Sequence, residues 1–352
     1  MNSSAQLAST VTTIARRSAQ PLPSPAVLRQ RLPLPNALAE RIAADRDAIR
    51  AVLDGRDPRL LVVVGPCSLH DRTSALEYAE RLAELAAQVD DQLLLVMRAY
   101  VEKPRTTVGW KGLLYDPHLD GSGDMAEGLR LSRQLMLDIL ERGLPLATEL
   151  LQPMAAGYFD DLLGWAAIGA RTSESQVHRE MVSGLDLPVG FKNGTDGSVG
   201  IACDAMRSAA HPHQHFGIDD LGHPALLHTA GNPDTHLVLR GGHGVPNHDA
   251  ASVAAAREAL QRQGIAPRIM VDCSHANSGK DPLRQPAVLQ SVIEQRLAGD
   301  ASLRGVMLES HLFDGCQALS GELRYGVSIT DGCLGWSGTE AALRRAAERL
   351  RG

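Results

Sequence analysis

Aromatic side chains are scarce in this 352-residue chain: three Trp, five Tyr and four Phe, or 3% of the whole. A core of any size must then be packed from aliphatic side chains and close backbone contacts, which favours layered α/β architecture over an aromatic-rich sandwich. No apolar run approaches the roughly 20 residues that a bilayer-spanning helix needs. The start, Met1-Asn-Ser-Ser-Ala5, lacks the charged-then-apolar pattern of an export signal, so a cytoplasmic protein with no membrane partner is expected. The five cysteines, Cys67, Cys203, Cys273, Cys316 and Cys333, are odd in number and widely spread, which excludes a zinc knuckle and a disulfide framework. A net charge of -6 and a pI near 6.1 leave no broad basic face for nucleic acid. There is no P-loop, dinucleotide fingerprint or internal repeat.

What the chain does have is a basic, glycine-rich stretch over residues 98–117, directly after the apolar run 93–97. Arg98, Lys103, Arg105 and Lys111 gather there just past one strand end. Pro104 fixes φ between Lys103 and Arg105, so these cations sit in a stiff turn rather than on a mobile tail. The chemistry suited to such a turn is the binding of a small anion, phosphate above all.

Along the chain, residues 1–35 are broken by prolines that exclude a long helix, and an amphipathic helix is expected over 38–53, ended by Asp54-Gly55. Eight short apolar strands are predicted at 60–64, 93–97, 146–149, 165–169, 188–192, 236–240, 268–272 and 305–309. Helical segments separate them, one opened by a Ser74/Glu77 capping box and another spanning about 127–142. Eight strands alternating with helices over about 250 residues call for a closed (β/α)8 TIM barrel. Residues 1–55 are read as an amino-terminal extension and 56–352 as the catalytic barrel. The irregular histidines from His211 to His248 are read as a solvated loop or hairpin.

In such a barrel the reactive face lies beyond the carboxyl ends of the strands. Cys67, Arg98, Glu149, Arg171, Lys192, Arg240, His275 and Glu309 each end or follow a different strand. Arg171, Lys192 and Arg240, with the backbone amides of Gly169 and Ala170, suit one phosphate; Arg98 and Lys192 suit a carboxylate on the same molecule. The plainer reading pairs each cation with a neighbouring carboxylate. Cys67, His275, Glu309 and Asp331 together suit a divalent transition metal, Mn, Fe, Co or Zn. Without a close-set ligand motif, a buried thiol, a core histidine and surface carboxylates are the ordinary reading of those four.

The motifs Gly65-Pro-Cys-Ser-Leu-His-Asp71, Glu102-Lys-Pro-Arg-Thr106, Val108-Gly-Trp-Lys-Gly112, Ile168-Gly-Ala-Arg-Thr-Ser-Glu-Ser175, Gly190-Phe-Lys-Asn-Gly-Thr-Asp-Gly197, Arg240-Gly-Gly242, Asp272-Cys-Ser-His-Ala-Asn-Ser278, Glu309-Ser-His311 and Ser328-Ile-Thr-Asp-Gly-Cys333 resemble those of one family. It is the class I, bacterial and fungal type of 3-deoxy-D-arabino-heptulosonate 7-phosphate (DAHP) synthases.

The resemblance implies a metal-dependent condensation of phosphoenolpyruvate with erythrose 4-phosphate, the first step of the shikimate pathway toward aromatic amino acids. It places the metal on Cys67, His275, Glu309 and Asp331. Phosphoenolpyruvate is expected against Arg98, Lys103, Glu149, Ala170, Arg171, Lys192 and Arg240, with the aldose phosphate on Arg105 and Thr106. Lys103 and His275 are the expected catalytic residues, Lys103 as proton donor. A homodimer or homotetramer is implied, with an aromatic amino acid effector in a pocket near Met154–Tyr158 and Gly184–Asp186. Ala156 leans toward Trp as that effector, while Asp186 stands where a serine is common. Two alternatives stay open: a sister barrel using arabinose 5-phosphate, and an inactive regulatory subunit that binds an aromatic amino acid.

Overall fold

Short runs of Leu, Val and Ile form strands buried on both faces, the condition for parallel pairing beneath covering helices. The computed structural model describes residues 19–105 and 107–352. In chain order the elements are α1 (Pro25–Arg31), α2 (Asn36–Asp54), β1 (Leu60–Gly65), α3 (Arg72–Val89), β2 (Leu93–Arg98), α4 (Met125–Glu141), β3 (Leu146–Glu149), α5 (Ala156–Phe159), β4 (Trp165–Ile168), α6 (Gln176–Ser183) and β5 (Val189–Lys192). There follow α7 (Gly200–Ala209), β6 (Gln214–Ile218), β7 (Pro224–His228), β8 (Thr235–Leu239), α8 (Ala250–Arg262), β9 (Ile269–Asp272), α9 (Gln285–Leu297), β10 (Leu303–Glu309) and α10 (Trp336–Arg351).

Eight of the strands close a parallel barrel in the order β1-β10-β9-β8-β5-β4-β3-β2. The expected (β/α)8 architecture is the one observed, with every predicted barrel strand present. β6 and β7 stand outside it as an antiparallel hairpin, so β5 pairs directly with β8. This is the histidine-bearing region read as a loop or hairpin.

One local reading differs. Asp71, not Ser74, caps α3: its carboxylate accepts from the Ser74 amide at 2.7 Å, and Asp71 is still extended while Ser74 is already helical. A seven-residue helix, α1, also forms within the proline-rich start, because Pro25 occupies its first turn, where no amide donor is needed, behind the Ser24 cap.

α2 matters most for the site. Its buried Ile49, Val52 and Leu53 join the barrel-interior cluster of Leu61, Val63, Val96, Ala147, Trp165, Ala167, Val238, Met270 and Met307. Ile49, Val52 and Leu53 each contribute about 1.5–3 kcal/mol by leaving water. The helix thereby stoppers the end where the strands begin. Gly55, left-handed at φ 77°, ends α2 and returns the chain to β1.

Candidate active site

Barrel register decides which side chains meet beyond the carboxyl ends. β1 and β10 pair with Gly65 opposite Glu309, which sets Cys67 near that carboxylate. The chain after β10 then doubles back. Bridges Ser310–Leu334 and Gly315–Cys333, with Ser68 Oγ 2.8 Å from Thr330 Oγ1, return Asp331 to the same spot. The donor atoms of Cys67, Glu309 and Asp331 consequently lie within 4.8 Å of one another. His275 lines the same cavity but is not in that group of three. Its Nδ1 lies 2.9 Å from Asp272 Oδ2 and 2.8 Å from Ser274 Oγ, leaving Nε2 as the ring nitrogen that can serve a metal. One thiol, two carboxylates and an imidazole make a donor set that fits a borderline divalent transition ion.

Lys103 ties the basic turn to this group. Its Nζ donates to Cys67 Sγ and Asp331 Oδ2, each at 2.8 Å. Burial works against the Lys103 ammonium; the fields of Cys67, Glu309 and Asp331 outweigh it and hold the group above the ordinary lysine range. Burial works against the Asp331 carboxylate too, yet Lys103 holds it well below the usual range. Burial and the Glu309 charge push the Cys67 thiol up to about 12, with Lys103 opposing.

Arg98 ends β2. Its guanidinium donates to Pro66 O at 3.2 Å and to Glu309 Oε1 at 3.3 Å, and lies 3.8 Å over the Tyr100 ring. Its buried Nη1 has no partner among the described residues, an unmet donor beside the cavity. Lys192 ends β5, with Nζ 3.3 Å from Glu149 Oε2 and 3.5 Å from Asp272 Oδ2. Glu149 is buried, which would raise its carboxyl; Lys192, then Lys103, His275 and Arg98, hold it below its ordinary value. A Cβ on Gly169 would stand 2.4 Å from Glu149 Oε1, so any side chain there would push this carboxylate out of place.

Arg105 is steadied by Nε donating to Trp110 O at 2.7 Å. Ala170, Arg171 and Arg240 line the same cavity of about 540 Å³. Thr106 lies outside the described residues. Among those described, seven Lys and Arg but only three Asp and Glu face this cavity. The plainer pairing therefore holds for Arg98, Lys103 and Lys192, while the cavity as a whole keeps an excess of positive charge suited to phosphorylated substrates.

Sequence reasoning left out Asp272 and Tyr100. Asp272 is fully buried and anchors both His275 and Lys192. Its signal was a carboxylate closing an otherwise apolar strand three residues before a histidine.

The sequence profile of the DAHP synthetase I family matches residues 37–344. A phospho-2-dehydro-3-deoxyheptonate aldolase of Escherichia coli K12, described as Tyr-sensitive, is 53% identical over 336 residues, covering 95% of this chain and 94% of that protein. The Phe-sensitive protein of the same strain is 50% identical over 329 residues, 93% and 94% of the two chains. The solved phospho-2-dehydro-3-deoxyheptonate aldolase of Francisella tularensis SCHU S4 superposes with a TM-score of 0.93 at 42% identity, covering 95% of this chain and 98% of the other. The chain belongs to the DAHP synthetase I family.

Proposed function

We propose that this chain condenses phosphoenolpyruvate with D-erythrose 4-phosphate and water, giving DAHP and inorganic phosphate. The observation that carries the reading is the cation-rich cavity set against the Cys67, Glu309 and Asp331 cluster. Lys192, Arg171 and Arg240, with the Ala170 amide, take the phosphate of phosphoenolpyruvate, and Arg98 with Lys192 its carboxylate. Glu149 positions Lys192. Arg105 and Thr106 take the phosphate of the aldose. Cys67, Glu309, Asp331 and His275 would hold one divalent ion of the Mn, Fe, Co or Zn group, which when bound supplies Lewis-acid polarisation of the aldehyde. Lys103 keeps a proton on Nζ beside those ligands and delivers it to the oxygen that was the aldehyde. All four ligand positions are filled by competent donors, which argues against an inactive regulatory subunit.

The same reading extends to regulation and assembly. A second cavity of about 570 Å³, bordered by Pro25, Met154, Ala156, Asp186 and the hairpin residue Phe216, is the proposed seat of an aromatic amino acid effector. Two relatives are described as Tyr- and Phe-sensitive; the small Ala156 favours Trp. The Asp186 carboxylate accepts from Arg50 Nη2 at 2.7 Å, so its charge is partly spent. Residues 1–55 act as an extension bordering that cavity, and the hairpin's exposed Phe216 and Leu226 offer a face for a second copy in a dimer or tetramer.

Steady-state phosphate release tests the whole. Release should require D-erythrose 4-phosphate, stop with chelator, return with Mn²⁺, and fall when the effector is added. Equal turnover with D-arabinose 5-phosphate, or indifference to chelator, would overturn it.

A further inference from the structure

The opposite mouth of the barrel holds a second concentration of positive charge. A cavity of about 350 Å³ lies there, between the end of α2 and the segments leading into β9 and β10. Arg257, Arg268 and Arg304 line it, with Asp54 and Asp300. Both carboxylates are already committed. Asp54 holds Arg268 at 2.6 Å and Arg56 at 3.0 Å. Asp300 holds Arg257 at 3.0 Å and the amide and hydroxyl of Ser302 at 2.9 and 2.6 Å.

Arg304 is left over. Among the described residues its buried Nε has no hydrogen-bond partner and its guanidinium has no carboxylate within ion-pair distance. Close by, Arg296 donates to the carbonyls of Leu303 and Pro58 and, among the described residues, pairs with no carboxylate. Burial, reinforced by the field of Arg268 and opposed by Asp54, pulls the Arg304 guanidinium below its ordinary range. Space has been left for this side chain: a Cβ on Gly55 would stand 2.5–2.8 Å from Nη2, Nη1 and Cζ of Arg304. A half-buried, unpaired guanidinium carries a desolvation cost that a bidentate oxyanion relieves.

We propose that Arg304, with Arg268 and Arg257, forms a binding site for a small phosphate-type oxyanion at the amino-terminal mouth of the barrel. The anion links the end of α2 to the segments that open β9 and β10. It is remote from the cavity where the condensation takes place, so occupancy changes stability and leaves the reaction alone.

Calorimetric titration of the intact protein with inorganic phosphate tests this, at ionic strength held constant with chloride. The wild type should take up one phosphate per chain more than Arg304→Met, while kcat and both KM values stay the same. Lys192→Met should retain the site that Arg304→Met loses. At phosphate tenfold above Kd the site should raise Tm by about 2–4 °C. Methyl phosphate in place of inorganic phosphate tells a phosphate ester from the free ion. Should Arg304→Met not fold, Arg304→Lys keeps the charge without the fork and should weaken binding about tenfold. Equal phosphate stoichiometry in wild type and variant, or an equal response to chloride alone, overturns the proposal.

Discussion

Replacing Gly169 by Ala tests whether Glu149 sets the position of Lys192, the cation proposed to bind phosphate. The added Cβ would stand 2.4 Å from Glu149 Oε1, whereas ordinary contact begins at 3.4 Å, so the carboxylate must retreat by about 1 Å. Lys192 Nζ is only 3.3 Å from Oε2 of that carboxylate and must follow it or lose it. Overpacking of this kind costs about 1–3 kcal/mol, a fall in Tm of roughly 2–10 °C. Misplacing a binding group by about 1 Å lowers kcat/KM for phosphoenolpyruvate by around a hundredfold. Gly200→Ala is the matched control: it opens α7, no atom of the described residues beyond its chain neighbours and its own helix backbone lies within 4 Å of its would-be Cβ, and it should leave both quantities unchanged. Phosphate release under both substrates and a thermal melt read the outcome. If Gly169→Ala kept kcat/KM within threefold of wild type, the claim that Glu149 positions Lys192 would be wrong.

Lys103→Met should lower kcat by at least about a hundredfold, the range of a lost proton donor, and near-native turnover would remove that role. Burial, against amide bonds from Leu151 and Gln152 and the Tyr115 hydroxyl, raises the Glu102 carboxyl to about 7. The folded protein thus keeps this proton while the unfolded chain has released it, so stability should fall by about 3 kcal/mol as pH rises from about 4.5 to 7. Denaturant midpoints across that window should lose this slope in Glu102→Gln; an unchanged slope would refute it. In chelator-treated protein at pH 8, iodoacetamide should reach exposed Cys316 well before Cys67, whose thiol is buried and pushed up to about 12. Peptide mass mapping that found Cys67 modified first would contradict this.

The barrel was legible because its strands are short, aliphatic and bounded by glycine, proline and polar residues, so each announces itself locally. Residues at strand ends inherit their position from the topology, which is why the sequence alone assigns Arg98, Glu149, Lys192 and Glu309 to one mouth. Partnerships across the mouth were not legible. Nothing in the spacing of residues 67, 103 and 331 says that Lys103 bridges Cys67 and Asp331; that follows from the return of the chain after β10. The helix cap was misassigned for a similar reason. Asp71 and Ser74 are both good caps, and the direction in which the chain leaves β1 chose between them. The unpaired Arg304 left no trace in the sequence, since an arginine opening a strand looks like ordinary surface.

The stopper formed by α2 also has an electrical consequence. Beneath the ionised groups of the mouth lies a dry aliphatic plug rather than water, so their field is poorly screened from below and spreads outward through the opening. Arriving dianions feel that pull in solution before they touch the protein, and the rate at which they are captured should slacken as salt is added.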